Sequence, residues 1–504
     1  MSIFVERDRP WLPANEAWWL GWILFASFLG LLATLVPSLL FLSASTKFIL
    51  LLGLISTWRY AIAIVHFLRA QLFLRIVFPR LRGLAATVRE KDLPEHVYFL
   101  VTSFRIEAST SYKVYEAVFM EALSCGRPAT VVASIVERSD EFLVRSIYRD
   151  TVAARGAAID LIFVRIPGTG KRDGLAHGFR AISRNRCCHE TVVVVVDGDT
   201  VLTPGCVRHA LPFFTLLPNM GALTTNEHCE VMGDAVIRDW HRLRFAQRHL
   251  NMCSMALTQR VLTLTGRMSI FRGSVVGNPQ FINGVQNDFL EHWRLGRFRF
   301  LTGDDKSSWF NVMRLGYDTF YVPDVSICTL EHPPDKSFVL ASGKLMFRWY
   351  GNALRQNMRA TSLGIRRLGA FTYYVILDQR ISMWTGLIGI TTALIASFMY
   401  GPVMMVAYVL WIGLTRFVVC LSLAAGGHAV KPSYPFLLYY NQLAGSLVKA
   451  WVGFHLDRQS WTRQKTRLEQ GSSFREVFNR WSAHAMTFSA FSIFFVLCFL
   501  LAKS

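Results

Sequence analysis

The sequence predicts a membrane protein in which an α/β domain is inserted between two groups of membrane helices. Of the 504 residues, 52% are apolar and 17% are charged, which fits neither a single water-soluble domain nor a pure membrane bundle. Long uncharged runs stand near both ends of the chain, and the middle alternates short β-rich runs with helical patterns. Two environments are therefore expected, one in lipid and one in water.

Two membrane helices are predicted within residues 17–70. The 30 residues between Glu16 and Lys47 contain no Asp, Glu, Lys or Arg, which exceeds the roughly 20 residues needed to cross a hydrocarbon core. The apolar stretch 48–68 is broken by Arg59 and followed by several arginines. By the positive-inside rule, the chain is therefore expected to re-enter the cytoplasm after this stretch. A cleaved secretory signal is the alternative, but the charged leader at 6–9 and the long apolar run favour an uncleaved anchor.

The C-terminal part, residues 379–504, is predicted to hold further membrane or interfacial helices. The uncharged run 381–415 is 35 residues long, and Gly401-Pro402 in its middle predicts a hairpin between two crossings. A last crossing is predicted over 485–502. The stretch 435–455 either spans or lies at the interface. Because the loop 456–482 is rich in Arg and Lys, it is expected in the cytoplasm, which favours five spans over six.

Charge and cysteine content exclude some functions. The formal net charge is +20, but the basic residues cluster beside the apolar runs rather than in an aromatic-interleaved patch, so nucleic acid is not the expected partner. The lipid bilayer and anionic ligands suit this distribution better. Nine scattered cysteines, with no Cys-x-x-Cys pair and no histidine at zinc spacing, predict reduced thiols.

Residues 84–378 are predicted to form a cytoplasmic α/β domain with a parallel sheet. Its buried strands are predicted at 97–104, 130–136, 161–166 and 191–196. The last is almost pure valine, which is typical of parallel strands covered on both faces. A helix is predicted over 112–125, ending at Gly126. In open α/β sheets ligands lie at the carboxyl ends of the strands, so polar residues there are the candidates for a site.

Asp197-Gly198-Asp199 places two carboxylates at the end of the valine run, with a glycine that permits a tight turn. Mg²⁺, or Mn²⁺ in its place, binds through one or two carboxylates together with substrate phosphates, so the pair suits a nucleotide-diphosphate sugar. A plain acidic turn is the alternative, and the buried strand leading into the pair favours the site.

The loop 166–174 contains Gly168, Gly170 and Lys171 and leads into a predicted helix over 173–184, whose amides would attract an anion. It is not a Walker loop, because Arg165 and Arg172 stand where that motif needs glycine and Ser or Thr. An ordinary glycine turn is the alternative.

A second acidic pair, Asp304-Asp305, follows Thr302-Gly303 far along the chain. One of these carboxylates could act as a general base, since transfer to a sugar hydroxyl needs the acceptor proton removed. The alternative, a solvated helix start with acidic residues, is equally compatible with this segment taken alone.

The order of these motifs, ending in Arg348-Trp349 and flanked by membrane helices, resembles the processive family 2 glycosyltransferases that make cellulose, hyaluronan and chitin. The strings 165–174, 240–248, 301–309 and 347–352 resemble more narrowly the bacterial mannuronan synthases, which polymerise alginate. The resemblance covers most of the chain and implies a GT-A type fold for the cytoplasmic domain.

The resemblance also implies roles for single residues. Thr102, Ser103 and Glu137 would hold the nucleotide, Lys171 its phosphates, and Asp197 and Asp199 the diphosphate with its metal. Asp305, next to Asp304, matches the general base. Arg348 and Trp349 match the end of the Gln-x-x-Arg-Trp motif at the acceptor, and Trp461 with Arg463 resembles a gating loop. Leu345 stands where that motif has glutamine, which puts the contact made there in doubt.

By the same resemblance the donor is GDP-mannuronate, the reaction inverts the anomeric carbon, and a growing β-1,4-linked polysaccharide crosses the bacterial inner membrane. A separate cyclic-di-GMP-binding co-polymerase and periplasmic export proteins are expected partners. A synthase of another polymer from a UDP-sugar remains an alternative, as does a non-catalytic envelope scaffold or transporter. Arg59 is hypothesised to face the polymer path, and a structural pair with a buried polar group is the equal alternative.

Overall fold

The computed structural model describes residues 16–36, 45–185, 190–299, 302–459 and 474–503. The N-terminal helices are α1 (Glu16–Leu35), α2 (Ser45–Leu72) and α3 (Phe78–Thr87), and a π-helical segment, Phe73–Val77, joins the last two. Because this segment keeps the chain helical, α2 continues into α3 without a break. A short 3-10 turn, Glu90–Asp92, then leads into the sheet.

The first half of the α/β domain alternates strands and helices. Its elements are β1 (His96–Thr102), α4 (Ala108–Ser124), β2 (Ala129–Ile135), α5 (Arg138–Thr151), β3 (Asp160–Arg165), α6 (Lys171–Ser183) and β4 (Thr191–Asp197). All four predicted strands are confirmed to within two residues at each end. The valines of β4 are buried on both faces, as a central strand between covering helices requires.

The second half is less regular. Its elements are β5 (Thr200–Leu202), α7 (Cys206–Ala210), α8 (Pro212–Leu216), β6 (Met220–Val231), α9 (Ala235–Ala256), β7 (Met268–Arg272), α10 (Gly273–Val276), α11 (Pro279–Gln286), β8 (Phe289–His292), β9 (Gly296–Arg299), α12 (Asp304–Arg314), β10 (Asp318–Glu331) and α13 (Phe338–Ala360). Strands β8 and β9 form a separate antiparallel hairpin.

The main sheet has eight strands in the order β3-β2-β1-β4-β7-β6-β10-β5. Strands β1 to β4 are parallel to one another, as predicted. The prediction of a parallel sheet does not extend to the whole sheet, because β7 runs antiparallel to both β4 and β6, and β5 runs antiparallel to β10. The second half also alternates strands and helices, but its order along the chain does not reveal that β5 and β7 run antiparallel to their neighbours.

The C-terminal helices are α14 (Gly364–Leu368), α15 (Ala370–Tyr400), α16 (Val403–Ala425), α17 (Tyr434–Phe454) and α18 (Phe474–Lys503). Gly401-Pro402 separates α15 from α16, as the hairpin prediction required. In the described part, five helical stretches are long and apolar enough to cross a membrane: Trp18–Leu35, Ile55–Thr87, Ala370–Tyr400, Val403–Ala425 and Val477–Lys503. Helix α17 is not among them, which agrees with the favoured count of five.

The sheet and the membrane helices share hydrophobic contacts through α9 and α13. The largest core covers both faces of the sheet. A second core joins Trp240 of α9 and Met346 of α13 to Leu423 of α16 and Leu437 of α17. Helices α9 and α13 therefore contact both the α/β domain and the membrane helices. The predicted boundary after residue 378 falls inside α15.

Candidate active site

A cleft of about 340 Å³ opens at the carboxyl ends of the parallel strands. It gathers residues from distant parts of the chain, as expected for an α/β sheet. The sequence-predicted residues that line it are Thr102, Ser103, Lys171, Asp197, Asp199, Asp304, Asp305, Arg348 and Trp349. Residues 102 and 305 are thus brought to one site by the fold of the sheet.

The Asp197-Gly198-Asp199 turn is held against the end of the neighbouring strand. Asp197, the last residue of β4, pairs in register with Thr102, the last residue of β1. A Cβ atom on Gly198 would lie 2.8 Å from the carbonyl oxygen of Thr102 and 3.2 Å from the Cα atom of Ser103. Glycine is required here because the two backbones approach too closely for any side chain, which keeps both carboxylates at the cleft.

Lys171 is the cation at the centre of the site. It begins α6 directly after Gly170, and its Nζ atom lies 3.0 Å from Asp197 Oδ2 and 3.1 Å from Asp304 Oδ2. Burial opposes the charge of this side chain, but the two carboxylates outweigh that effect and raise the pKa of Lys171 above its usual value. The ammonium group stays charged and links the two acidic pairs.

The second acidic pair begins helix α12. Gly303 precedes it in the left-handed conformation, with φ of +79°, and Asp304 and Asp305 occupy the first turn, where the helix dipole favours negative charge. Burial raises the pKa of Asp305, with a smaller contribution from neighbouring Asp304, while Lys306 and Lys171 act in the opposite direction. A carboxylate with a raised pKa is better matched to accepting a proton near neutral pH.

The residue types at the Asp197-Gly198-Asp199 turn fit a hard divalent cation. Both carboxylates line the cleft, and Asp197 accepts hydrogen bonds from Lys171 Nζ and the Gly198 amide. Each carboxylate oxygen has two lone pairs, so these contacts leave acceptor capacity. Among the described residues no group of three or more His, Cys, Asp and Glu side chains could hold a metal ion alone. Phosphate oxygens of a substrate would have to complete such a site, as is usual for Mg²⁺.

One face of α13 forms another wall of the cleft. Leu345, Arg348, Trp349 and Asn352 follow helical spacing and all line it. Burial lowers the pKa of Arg348, whereas Glu331 opposes that change. The Trp349 ring stacks on Trp240 with centroids 5.7 Å apart and an interplanar angle of 14°. The position predicted to be unusual, Leu345, thus presents an apolar surface to the cleft.

Of the predicted nucleotide-binding residues, Ser103 lines the cleft and Glu137 does not. Ser103 is buried, and its Oγ atom lies 3.3 Å from the Tyr115 hydroxyl. Glu137 is the residue before α5; its carboxylate lies 3.6 Å from Arg105 Nε, and it is not among the residues that line the cleft. Its nucleotide role stays a prediction. Trp461 and Arg463 lie outside the described residues.

Arg59 lies away from the cleft, on α2. Its Nη1 atom lies 2.7 Å and 2.8 Å from the two carboxylate oxygens of Asp378 on α15. Arg59 therefore has the structural partner that the alternative interpretation predicts. Contact with polymer remains a prediction for Arg59.

Sequence reasoning missed an ion-pair network beside the cleft. Arg267 Nη1 lies 3.0 Å from Glu227 Oε2, and Arg267 Nη2 lies 2.5 Å from Glu331 Oε1. Arg248 lies 3.4 Å from the other oxygen of Glu227. Glu331 ends β10 and lines the cleft, so the rule about polar residues at strand ends would have found it had β10 been recognised.

Comparison with protein families gives a match over the α/β domain. The model of the family described as glycosyltransferase like family 2 matches residues 94–352. That range begins just before β1 and ends within α13, at a residue that lines the cleft.

Two curated relatives match nearly the whole chain. The protein named glycosyltransferase alg8 of Pseudomonas syringae pv. tomato is 57% identical over 475 residues, covering 94% of this chain and 96% of the relative. The protein of the same name from Azotobacter vinelandii is 56% identical over 478 residues, with the same two shares, 94% and 96%.

Among solved structures, a mannosyltransferase from Pyrobaculum calidifontis in complex with GDP-Man and Mn²⁺ matches with a TM-score of 0.42 and 14% identity. The match covers 77% of this chain and 97% of that one.

Proposed function

The chain belongs to the family 2 glycosyltransferases, and we propose that it polymerises mannuronate from GDP-mannuronate into β-1,4-linked polymannuronate, the precursor of alginate. In this proposal the α/β domain has the GT-A type fold and lies between membrane helices. The observation that carries the proposal is the pair of contacts of Lys171 with Asp197 and Asp304 in one cleft. These contacts bring the candidate phosphate-binding cation, the candidate metal ligands and the candidate base within reach of one substrate.

The proposed reaction is a single displacement that inverts the anomeric carbon. Asp305 takes the proton from the acceptor hydroxyl as that oxygen attacks, so one base suffices. Lys171 stabilises the negative charge that develops on the leaving diphosphate. Asp197 and Asp199 would hold a divalent cation, Mg²⁺ or Mn²⁺, which neutralises charge on the diphosphate when bound. Arg348 and Trp349 hold the acceptor sugar at the opposite wall.

The proposed setting is the bacterial inner membrane, with the cleft in the cytoplasm and the polymer passing outward between the membrane helices. The five candidate spans support a membrane location, and the basic residues after α2 support the cytoplasmic orientation. A cyclic-di-GMP-binding co-polymerase and periplasmic export proteins are proposed as partners, on the resemblance to alginate-type systems.

Release of GDP, compared with UDP, by membranes carrying the full chain tests this function. GDP-mannuronate and UDP-sugars are supplied separately with Mg²⁺ and the co-expressed co-polymerase. Asp305→Asn is the inactive control, and Asp335→Asn, which changes a partly exposed carboxylate paired with Lys344, is the matched active control. GDP release from GDP-mannuronate that is lost only in Asp305→Asn is expected. Turnover of a UDP-sugar alone would overturn the donor, and turnover that survives Asp305→Asn would overturn the base.

A further inference from the structure

Two cations lie just behind the Trp349 wall of the cleft, on the side of the membrane helices. Arg244 of α9 has its Cζ atom 4.8 Å from the centroid of the Trp349 ring and 5.7 Å from that of Tyr350. Lys449 of α17 has its Nζ atom 4.8 Å from the centroid of the same Tyr350 ring. We call Arg244, Tyr350 and Lys449, with Asn441, the cation cluster.

The cation cluster has no negative charge of its own. None of the ion pairs among the described residues, taken as N–O distances up to 4.0 Å, includes Arg244 or Lys449. Arg244 uses only Nη1 for described hydrogen bonds, which it donates to the Tyr350 hydroxyl at 3.2 Å and to Asn441 Oδ1 at 2.7 Å. Its Nε and Nη2 donors are left for a ligand, as is the ammonium group of Lys449.

Two other basic residues near these helices do have a carboxylate partner. Arg59 is balanced by Asp378 at 2.7 Å, and Lys431 by Asp239 at 2.7 Å. Arg244 and Lys449 are both partly buried and approach the same ring, so the positive charge of each makes the charged form of the other less favourable. Partial burial of a charge without an ionic partner costs desolvation free energy, and an anionic ligand between the two cations would offset that free energy. Accordingly, the two cations lower the pKa of the Tyr350 hydroxyl against the effect of burial.

The position of the cluster indicates what the anion is. Trp349 lines the cleft and also contacts Arg244, so one aromatic side chain separates the reaction site from the cluster. Helices α9, α13 and α17 meet here, and they join the α/β domain to the membrane part. A polymer that grows at Trp349 and leaves toward the membrane would meet the cluster next. A guanidinium group binds carboxylates through two parallel hydrogen bonds, and the Nε and Nη2 donors of Arg244 are the ones left for such a pair.

We propose that Arg244 and Lys449 form a carboxylate-binding subsite for the growing chain, which selects an acidic over a neutral sugar directly after transfer. The inference rests on the proposed function, because that function puts a polyuronate at Trp349. It assigns charge selection to two residues outside the catalytic cleft.

The test measures binding of a short mannuronate oligomer, and of its carboxyl-reduced neutral counterpart, to the purified full chain in neutral lipid. Wild type is compared with Arg244→Gln, Lys449→Met and the charge-retaining Lys449→Arg. The matched control is Lys344→Gln on α13, which removes an exposed cation paired with Asp335. GDP binding by every variant reports that the α/β domain is folded.

Arg244→Gln and Lys449→Met are each expected to lower the affinity for the acidic oligomer about tenfold, which is equivalent to about 1.4 kcal/mol of binding free energy. The affinity for the neutral oligomer should change little. Lys449→Arg should keep most of the affinity, and Lys344→Gln all of it. Equal losses for both oligomers, or no loss in variants that still bind GDP, would overturn the inference. Failure of the proposed function would give a different result, because wild type would then release no GDP from GDP-mannuronate, whether or not it binds the oligomers.

Discussion

Lys171 and Asp304 are buried against each other, with 3.1 Å between Nζ and Oδ2 and only 9% of each side chain exposed. They are far apart in the sequence, one at the start of α6 and the other at the start of α12. Removing one partner of a buried pair leaves an uncompensated charge, which costs more than removing both. The pair therefore stabilises the cleft as well as placing a cation in it.

Lys171→Met is expected to lower the free energy of unfolding by about 3 kcal/mol, because Asp197 and Asp304 lose their shared cation. The double variant Lys171→Met with Asp304→Asn should recover part of that loss while remaining inactive. Thermal unfolding in detergent measures both. The exposed pair Lys344 and Asp335 is the control and should show far smaller coupling. Strict additivity at Lys171 and Asp304 would contradict the contact.

Gly198→Ala is expected to abolish polymer synthesis and to cost about 1–3 kcal/mol of stability, because the new Cβ meets backbone atoms that cannot move independently. Polymer yield and thermal unfolding check the prediction. Gly343→Ala in α13 is the matched control: nothing lies within 4 Å of its added Cβ, and alanine favours the helix. Normal synthesis by Gly198→Ala would show that the carboxylates do not depend on this close approach.

The pH dependence of the reaction should report the environment of Asp305. A base works only unprotonated, and burial raises the pKa of Asp305, so activity should be lost on acidification at a higher pH than for an exposed aspartate. Lys306, whose Nζ lies 4.0 Å from the carboxylate, lowers that pKa. Lys306→Gln should therefore move the acidic limb of the kcat/KM profile to still higher pH. A limb that stays in place, or moves to lower pH, would argue against Asp305 as the base.

Arg59→Gln is expected to reduce the amount of protein in the membrane, because it leaves the Asp378 carboxylate unpaired among membrane helices. The double variant with Asp378→Asn should restore that amount, and polymer length should then match wild type. Immunoblots and polymer sizing measure the two quantities. Short polymer from a double variant present at normal level would instead support contact between Arg59 and the polymer.

The parts that the sequence predicted well are those with local signals. The valine run marks β4 because a central parallel strand is buried on both faces, and Asp197 follows at its end. Gly401-Pro402 marks the break between α15 and α16 because neither residue continues a helix.

The parts that escaped prediction depend on long-range pairing. Nothing in the spacing of Arg267 and Glu331 reveals that the antiparallel strand β7 places them together. The same holds for Arg244 and Lys449, which meet only because α9 and α17 both pack beside α13. Such contacts are properties of the tertiary fold, and periodicity in the sequence does not encode them.

The hydrophobic core shared by α9, α13, α16 and α17 limits how the protein can be dissected. A fragment cut before α15 would uncover Trp240 on α9 and Met346 on α13, both buried in the full chain, and α13 also carries Arg348 and Trp349. Such a fragment should aggregate and lose the geometry of the acceptor wall. A soluble form would require removal of the two N-terminal spans and a redesigned surface on α9 and α13. Exchanging the membrane helices between relatives would alter the enzyme's reaction site as well.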